Sequence, residues 1–254
     1  MSFFDKFFGY YKDSFGDYEW YSNKLGGGSF EDWRHYLWII SVPIISVLFF
    51  KYIKRNPDKS RKIIVWLASI LLVGRITLLT FPVFLGGAQP VGRIFPFHQC
   101  AVMGVLLPLV IFFKLDKFKH PIYVISIMGA LATIAFGEYF QSTFLNYYFF
   151  EGIISHTLLL LIPLAEIARG NFKLDIKKSW TVIVGMLMLL SWATLANKVF
   201  FAKYNSNYMF LERSGFPDGF GGHYFFFIYV IIFIIVFAII YLSPYLYSKW
   251  VQKR

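Results

Sequence analysis

Long runs of apolar residues, separated by short polar stretches, fill this chain from residue 37 to its C-terminal end. A helix that crosses the hydrocarbon core of a bilayer needs roughly 20 residues. Seven runs come close to that length, and each predicts a membrane-spanning helix. They lie at residues 37–52, 63–84, 95–113, 121–139, 152–168, 180–200 and 224–245. The pattern predicts an all-α, polytopic bundle of seven helices. No internal repeat is evident that would support a transporter built from duplicated halves.

The segment before the first run, residues 1–36, is polar and aromatic. Its aromatic positions recur at helical spacing: Phe4, Phe7, Phe8, Tyr11, Phe15 and Tyr18. This spacing predicts an amphipathic helix in the membrane interface, or equally an aromatic cover packed over the bundle. We therefore divide the chain into an interfacial segment at 1–36 and a seven-helix transmembrane domain at 37–254.

Lysine and arginine are distributed unevenly between the two ends of the predicted helices. Sixteen lie in the loops 51–62, 114–120 and 169–178 and in the C-terminal tail, whereas eight lie in the opposite connections. Cytoplasmic loops of membrane proteins are enriched in basic residues. The distribution therefore predicts an outer N-terminus and a cytoplasmic C-terminus in the cell membrane. The formal net charge of +11 follows from these loops, and we expect no nucleic-acid partner.

The amino-acid composition narrows the possible class of protein further. The 254 residues are 57% hydrophobic, 22% aromatic and 15% charged, whereas soluble domains carry about 25% charged residues. An ordinary soluble enzyme, a coiled coil and a disordered chain are excluded. The single cysteine excludes an internal disulfide and a multi-cysteine metal cage, and we expect no metal or cofactor. The abundance of Phe, Ile, Lys and Tyr fits a bacterium with AT-rich DNA.

Polar residues collect near the predicted outer ends of the helices. Four of the five histidines lie there: His35, His98, His156 and His223. Cys100 and His156 each follow such an end by about five residues, on the order of 8 Å at 1.5 Å per residue. Arg75 and Glu138 interrupt apolar sequence and are a candidate ion pair, because intramembrane charges usually face the bundle interior. Together these residues predict a polar pocket open to the outer leaflet.

Each of these residues also has a simpler interpretation. A lone cysteine in a membrane helix is usually a small buried hydrophobic residue. Arg75 can have a purely structural role, in which it anchors Glu138 or a backbone carbonyl. A metal site made by His98 and Cys100 is disfavoured, because residues two apart lie about 200° apart around a helix.

Two short motifs stand out from the apolar background. Pro96-Phe97-His98-Gln99-Cys100 resembles the P-L-H-x-C motif of the YwaF family of integral membrane proteins, with Phe97 in place of leucine. That family also includes a eukaryotic transmembrane acyltransferase of ether-phospholipid metabolism. Asn207-Tyr208-Met209-Phe210-Leu211, followed by Pro217, is similar to its N-Y-M-x-L loop before the last helix. His35 and His156 stand where the family has histidines.

The resemblance implies a lipid acyltransferase with phospholipid and lysophospholipid as substrates. Cys100 would be the nucleophile and His156 its proton acceptor, while His98 would orient the pair or bind a headgroup. The remaining candidates for the substrate pocket are Arg75, Arg93, Glu138, Asn207, Tyr208, His35 and His223. Arg75 and Arg93 are candidate phosphate ligands, because guanidinium matches phosphate bidentately. Asn207 or Tyr208 could donate to the oxyanion.

Two other functions remain open from the residues themselves. One is a non-enzymatic membrane subunit whose pocket binds a lipid or a partner protein. The other is a small-solute carrier. The absence of evident repeats argues against a carrier, as does the scarcity of carboxylates in the predicted cytoplasmic half, where only Glu166 offers a relay group.

Overall fold

Seven long helices run through the part of the chain that the computed structural model describes, namely residues 7, 10–12, 18–20, 32–85, 95–137, 146–202, 207–212 and 224–252. They are α1 (Trp33–Arg55), α2 (Pro57–Leu85), α3 (Gln99–Phe112), α4 (Lys119–Phe136), α5 (Tyr147–Ala168), α6 (Ser179–Leu195) and α7 (Phe225–Gln252). A π-helical turn, Ala196–Phe200, continues α6. Short 3₁₀ turns lie at Asp116–Phe118, Ile176–Lys178 and Tyr208–Phe210.

The predicted all-α membrane bundle is confirmed. Within the described residues, α1, α2 and α4–α7 have the length and hydropathy of membrane spans, whereas α3 is apolar but has only 14 residues. The predicted third run began at residue 95, but the backbone before Gln99 is extended at His98. The orientation of the bundle across the membrane stays a prediction.

The centre of the bundle is formed by α4 and α5. Helix α5 packs against α1, α2, α3 and α4, and α4 also contacts α6 and α7. Leu159 and Ile162 of α5 and Tyr123 of α4 are fully buried. By contrast, α1, α6 and α7 present large apolar side chains outward, as a surface in contact with lipid does.

Side-chain caps fix two helix starts that bear on the site. Asn146 accepts a hydrogen bond from the Phe149 backbone N–H and begins α5. Asp32 does the same for the Arg34 N–H at the start of α1. The Arg34 side chain also hydrogen-bonds Asp32, which lowers the pKa of that carboxyl. Because Asn146 sets the start of α5, this helix begins five residues before the predicted apolar run.

The helical interpretation of the N-terminal segment is wrong at residues 10–12 and 18–20, whereas Phe7 is helical. Tyr10–Lys12 and Tyr18–Trp20 form an antiparallel strand pair, β1 and β2. Aromatic residues favour strands, and Gly9 and Gly16 are poor helix formers. The Phe7 ring lies 5.9 Å from the Phe150 ring of α5. The placement of segment 1–36 in the membrane interface stays a prediction.

Candidate functional site

A buried ion pair joins α2 to α5 near one end of the bundle. Arg75 Nη2 lies 3.1 Å from Glu151 Oε1, and both side chains are almost fully buried. The same nitrogen donates a hydrogen bond to Ser155 Oγ at 3.0 Å. Glu151 and Ser155 are four residues apart, so they lie on the same face of α5. Arg75 therefore ties together two polar side chains of one helix.

Of the two glycines next to this pair, only Gly104 makes room for it. A methyl group at Gly104 of α3 would come within 2.9 Å of Arg75 Nε, whereas one at Gly74 would make an ordinary 3.7 Å contact with Glu151. Among the described residues, Arg75 Nε has no hydrogen-bond partner. The Arg75 side chain therefore lies flat against the backbone of α3 at Gly104.

His156 follows Ser155 and is buried. Its Nδ1 lies 2.6 Å from the Gly152 carbonyl oxygen and 3.4 Å from Ser155 Oγ. A carbonyl can only accept, so Nδ1 carries the proton in this contact. The neutral ring then has its lone pair on Nε2, which is the tautomer of a general base.

Cys100 is the second residue of α3 and is partly buried. Its Sγ lies 3.6 Å from Thr133 Oγ1 at the end of α4. A methyl group at Gly129 of α4 would approach Cys100 Sγ to 3.4 Å and Gln99 Nε2 to 2.8 Å. Gln99 in turn donates to the Ile125 carbonyl. The first turn of α3 therefore packs against α4.

The first turn of α3 also lies close to the ion pair. Gly104 follows Cys100 by one helical turn on the same face, and Arg75 covers Gly104. The structure thus brings Cys100, Arg75, Ser155 and His156 to one end of the bundle.

His98 connects the first motif to the second. Its Nδ1 accepts a hydrogen bond from the Met209 backbone N–H at 3.3 Å, and its ring contacts those of Tyr208 and Phe210. The motif at 207–209 therefore packs against the motif at 98–100, although more than 100 residues separate them. Met209 has a φ of 53°, an unusual backbone conformation for a non-glycine residue.

Asn197, in the π-helical turn after α6, holds this loop by two hydrogen bonds. Its Nδ2 donates to the Tyr208 carbonyl at 3.0 Å, and its Oδ1 accepts from the Tyr208 N–H at 2.8 Å. Asn207 Oδ1 accepts from the Glu212 N–H. Phe97, where the resembled motif has leucine, packs its ring against Trp192 and Tyr208. These contacts fix the loop against the segment that precedes α3.

Helix α1 closes the site from another side. His35 is fully buried, and its Nε2 lies 3.0 Å from the carbonyl oxygen of Ile134, the residue after Thr133. Trp38 donates to the Oγ1 of Thr157, the residue after His156. Both contacts pack α1 against helix segments that carry site residues.

The predicted site residues divide into two groups. Cys100, His156, His98, Arg75, His35, Asn207 and Tyr208 lie at the same end of the bundle. Arg93, Glu138 and His223 lie outside the described residues, and the proposed pairing of Arg75 with Glu138 stays a prediction. Within the described parts of the chain, no group of three His, Cys, Asp or Glu side chains could hold a metal ion.

Sequence reasoning missed Glu151, Ser155, Thr133 and Asn197. The predicted fifth run began at residue 152, so Glu151 was counted in the preceding loop. Helix α5 in fact begins at Tyr147, and His156 is its tenth residue rather than its fifth. Cys100, in contrast, lies one residue inside α3. Cys100 and His156 were predicted to lie at equal depth below the starts of their helices. This prediction is wrong, because Cys100 is the second residue of α3 and His156 the tenth of α5. The spacing of Glu151 and Ser155 on one helical face was the available signal.

Comparison with known proteins gives one match. The model of the TMEM164 family matches residues 30–241, which include α1–α6, the first part of α7 and every site residue discussed above that the structure describes. No curated protein and no solved structure matches the chain. The apolar helices are those of a multi-pass membrane protein. The chain is thus an integral membrane protein that belongs to the TMEM164 family.

Proposed function

We propose that the protein transfers acyl chains between membrane lipids, with Cys100 as nucleophile and His156 as general base. The observation that carries the proposal is the position of Cys100 in the first turn of α3, one helical turn before Gly104, where the Arg75 side chain lies. Arg75 belongs to the Arg75–Glu151–Ser155 cluster, and Ser155 adjoins His156. The resemblance to the YwaF motifs supports it, because the two motifs meet through His98 and Met209.

In the proposed first step, His156 Nε2 takes the proton of the Cys100 thiol, and Sγ attacks the carbonyl carbon of a phospholipid ester. The tetrahedral intermediate collapses as the carbon–oxygen bond to the glycerol breaks. The proton returns from His156 to the leaving alkoxide, which departs as a lysophospholipid. The acyl chain remains on Cys100 as a thioester.

In the second step, a lysophospholipid hydroxyl or water attacks the thioester. His156 removes the proton of the incoming hydroxyl, and the Cys100 thiolate leaves and is reprotonated. The first intrahelical backbone hydrogen bond of α3 runs from Val102 to His98, so the N–H groups of the preceding residues lie outside the helical ladder. These groups are our candidates for the oxyanion donors, since helix N-termini stabilise negative charge.

Arg75 has a positioning role in this proposal. Its guanidinium pairs with Glu151 and Ser155, and Ser155 adjoins the His156 ring. Arg93 remains a candidate phosphate ligand, and it lies outside the described residues.

The proposal is tested with purified protein in liposomes that contain a phospholipid with a labelled acyl chain and an unlabelled lysophospholipid. Lipid mass spectrometry follows transfer of the label. We expect transfer by the wild type and none by Cys100→Ser. The matched control is Ser69→Ala, because the Ser69 hydroxyl donates to the Val65 carbonyl of its own helix. This control should keep full transfer.

Absence of transfer by folded wild-type protein would contradict the proposal. It would favour the alternative in which the cluster is structural and the protein is a lipid- or partner-binding subunit. Equal transfer by Cys100→Ser would also overturn the role of the thiol.

A further inference from the structure

One seven-residue pattern occurs twice in the chain, although it has no duplicated halves. Phe-Lys-Leu-Asp-x-x-Lys is found at residues 113–119 and again at 172–178. Each copy contains a short 3₁₀ turn and leads directly into a long helix, α4 after the first and α6 after the second. The two copies therefore share a position in the fold, each directly before a long helix.

Both copies line one pocket of about 370 Å³. Its wall includes Asp116 and Lys119 from the first copy and Lys173, Asp175 and Lys178 from the second. The pocket is remote from Cys100. Lys119 begins α4 and Thr133 lies near its end, which separates them by roughly 20 Å at 1.5 Å per residue.

The acidic groups of the pocket are already engaged. Lys119 Nζ lies 2.7 Å from Asp116 Oδ1 and 3.9 Å from Oε2 of the buried Glu166. The Asp175 carboxylate accepts the Lys177 backbone N–H at 2.9 Å. Lys173 and Lys178, in contrast, are exposed and form no ion pair with any residue that the structure describes. Two lysines of the pocket therefore lie outside any ion pair among the described residues, and with three lysines against Asp116 and Asp175 its net charge is positive.

His120 gives the pocket a fixed wall. Its Nδ1 lies 3.3 Å from Thr181 Oγ1 of α6, and its Nε2 lies 3.4 Å from Tyr241 OH of α7. The imidazole thus connects three helices. Lys173 and Lys178 lie in the segment directly before α6, which is one of these three helices.

Large exposed apolar side chains lie in or next to the two repeated segments that line the pocket. Phe113, Phe118, Ile176 and Trp180 are each more than half exposed and belong to, or adjoin, the two repeated segments. Lysines beside exposed aromatic residues are typical of the zone where lipid headgroups meet acyl chains. This surrounding favours an anion carried at the membrane surface.

We propose that the pocket between the two repeats binds a phosphate group, with Lys173 and Lys178 as its charge partners. A phosphate has several acceptor oxygens and can contact both ammonium groups at once. The group can come from an anionic phospholipid headgroup or from a soluble phosphate ester. The site is independent of acyl transfer at Cys100.

Native mass spectrometry of the full chain in neutral detergent tests this assignment. Phosphatidylglycerol is the anionic probe and phosphatidylcholine the zwitterionic one. We expect the Lys173→Gln, Lys178→Gln double variant to bind phosphatidylglycerol at least tenfold more weakly, because a lysine near an anionic surface contributes roughly fivefold in affinity. The matched control is Lys51→Gln with Lys54→Gln, two exposed lysines at the end of α1 that do not line the pocket.

Millimolar glycerol phosphate identifies the source of the group. Displacement of the lipid by glycerol phosphate would assign the pocket to soluble esters, and its failure would assign it to headgroups. Equal losses of affinity for phosphatidylglycerol in the pocket and control variants would overturn the proposal. Equal binding of the two lipids by the wild type would overturn it as well.

Discussion

Arg75 and Glu151 meet 3.1 Å apart between α2 and α5, with less than a tenth of either side chain exposed. Removing two charges from water costs several kcal/mol per ion, and the pair offsets this cost only while both partners are present. Ser155 shares the same guanidinium nitrogen and lies beside the His156 ring. The ion pair is therefore connected to His156 through Ser155.

We predict that Glu151→Ala destabilises the protein by about 3–5 kcal/mol, because it leaves the buried Arg75 charge uncompensated. Replacing both partners, Arg75→Met with Glu151→Leu, should recover much of that loss. Thermal unfolding in detergent, followed by tryptophan fluorescence, measures both effects. The control is Glu212→Ala, which breaks the more exposed pair with Lys198 and should cost about 0–1 kcal/mol. Similar losses for Glu151→Ala and Glu212→Ala would contradict this account.

The two glycines beside the ion pair should respond differently to alanine. Gly104→Ala places a methyl group 2.9 Å from Arg75 Nε, so the guanidinium must move and its bond to Ser155 weakens. Gly74→Ala makes only a normal contact and gains helix propensity of up to about 1 kcal/mol. We expect a lower unfolding temperature and slower acyl transfer for Gly104→Ala alone. Unchanged transfer in Gly104→Ala would show that Arg75 does not position the site.

Asn197→Leu should release the loop 207–212. The variant loses both hydrogen bonds to the Tyr208 backbone, each worth about 0.5–1.5 kcal/mol. Amide hydrogen exchange at Tyr208 should become roughly tenfold faster. Thr194→Ala, an exposed substitution one turn earlier in the chain, should leave the exchange rate unchanged. If Tyr208 stayed equally protected in Asn197→Leu, the loop would be held by other contacts.

The cap of α1 should make a pH-dependent contribution. Asp32→Ala should cost about 1 kcal/mol, because the Arg34 N–H loses its acceptor. Since the Arg34 hydrogen bond lowers the pKa of Asp32 in the folded protein, the stabilisation is complete above the unfolded pKa of about 3.9. It is lost as the pH falls through the folded pKa. The unfolding temperatures of wild type and Asp32→Ala should therefore start to converge as the pH falls below about 4 and should meet below the folded pKa, and a constant difference would contradict this assignment.

The helices were predictable because apolar runs of span length have few alternatives in a bilayer. The start of α5 was not, because Asn146 and its hydrogen bond to Phe149 decide it, and hydropathy does not register a cap. The partner of Arg75 was equally hidden. Hydropathy places Glu151 in a loop, whereas the cap at Asn146 begins α5 early enough to include it.

The motifs predicted which residues gather, but not how. His98 was expected to orient the catalytic pair, and the structure shows it bonded to Met209. Thr133 next to Cys100 could not be foreseen, because the approach of α3 to α4 at Gly129 sets that contact. Side-chain contacts between helices depend on packing registers that a single sequence does not contain.

The most direct test of the central claim is the mass of the intact protein after incubation with a labelled-acyl phospholipid and no acceptor. The account predicts an added acyl mass on Cys100 that neutral hydroxylamine removes, as expected for a thioester. Cys100→Ala should show no such mass, and addition of lysophospholipid should discharge it from the wild type. An unmodified wild-type protein that still transfers label, or an acyl mass on a residue other than Cys100, would contradict the account.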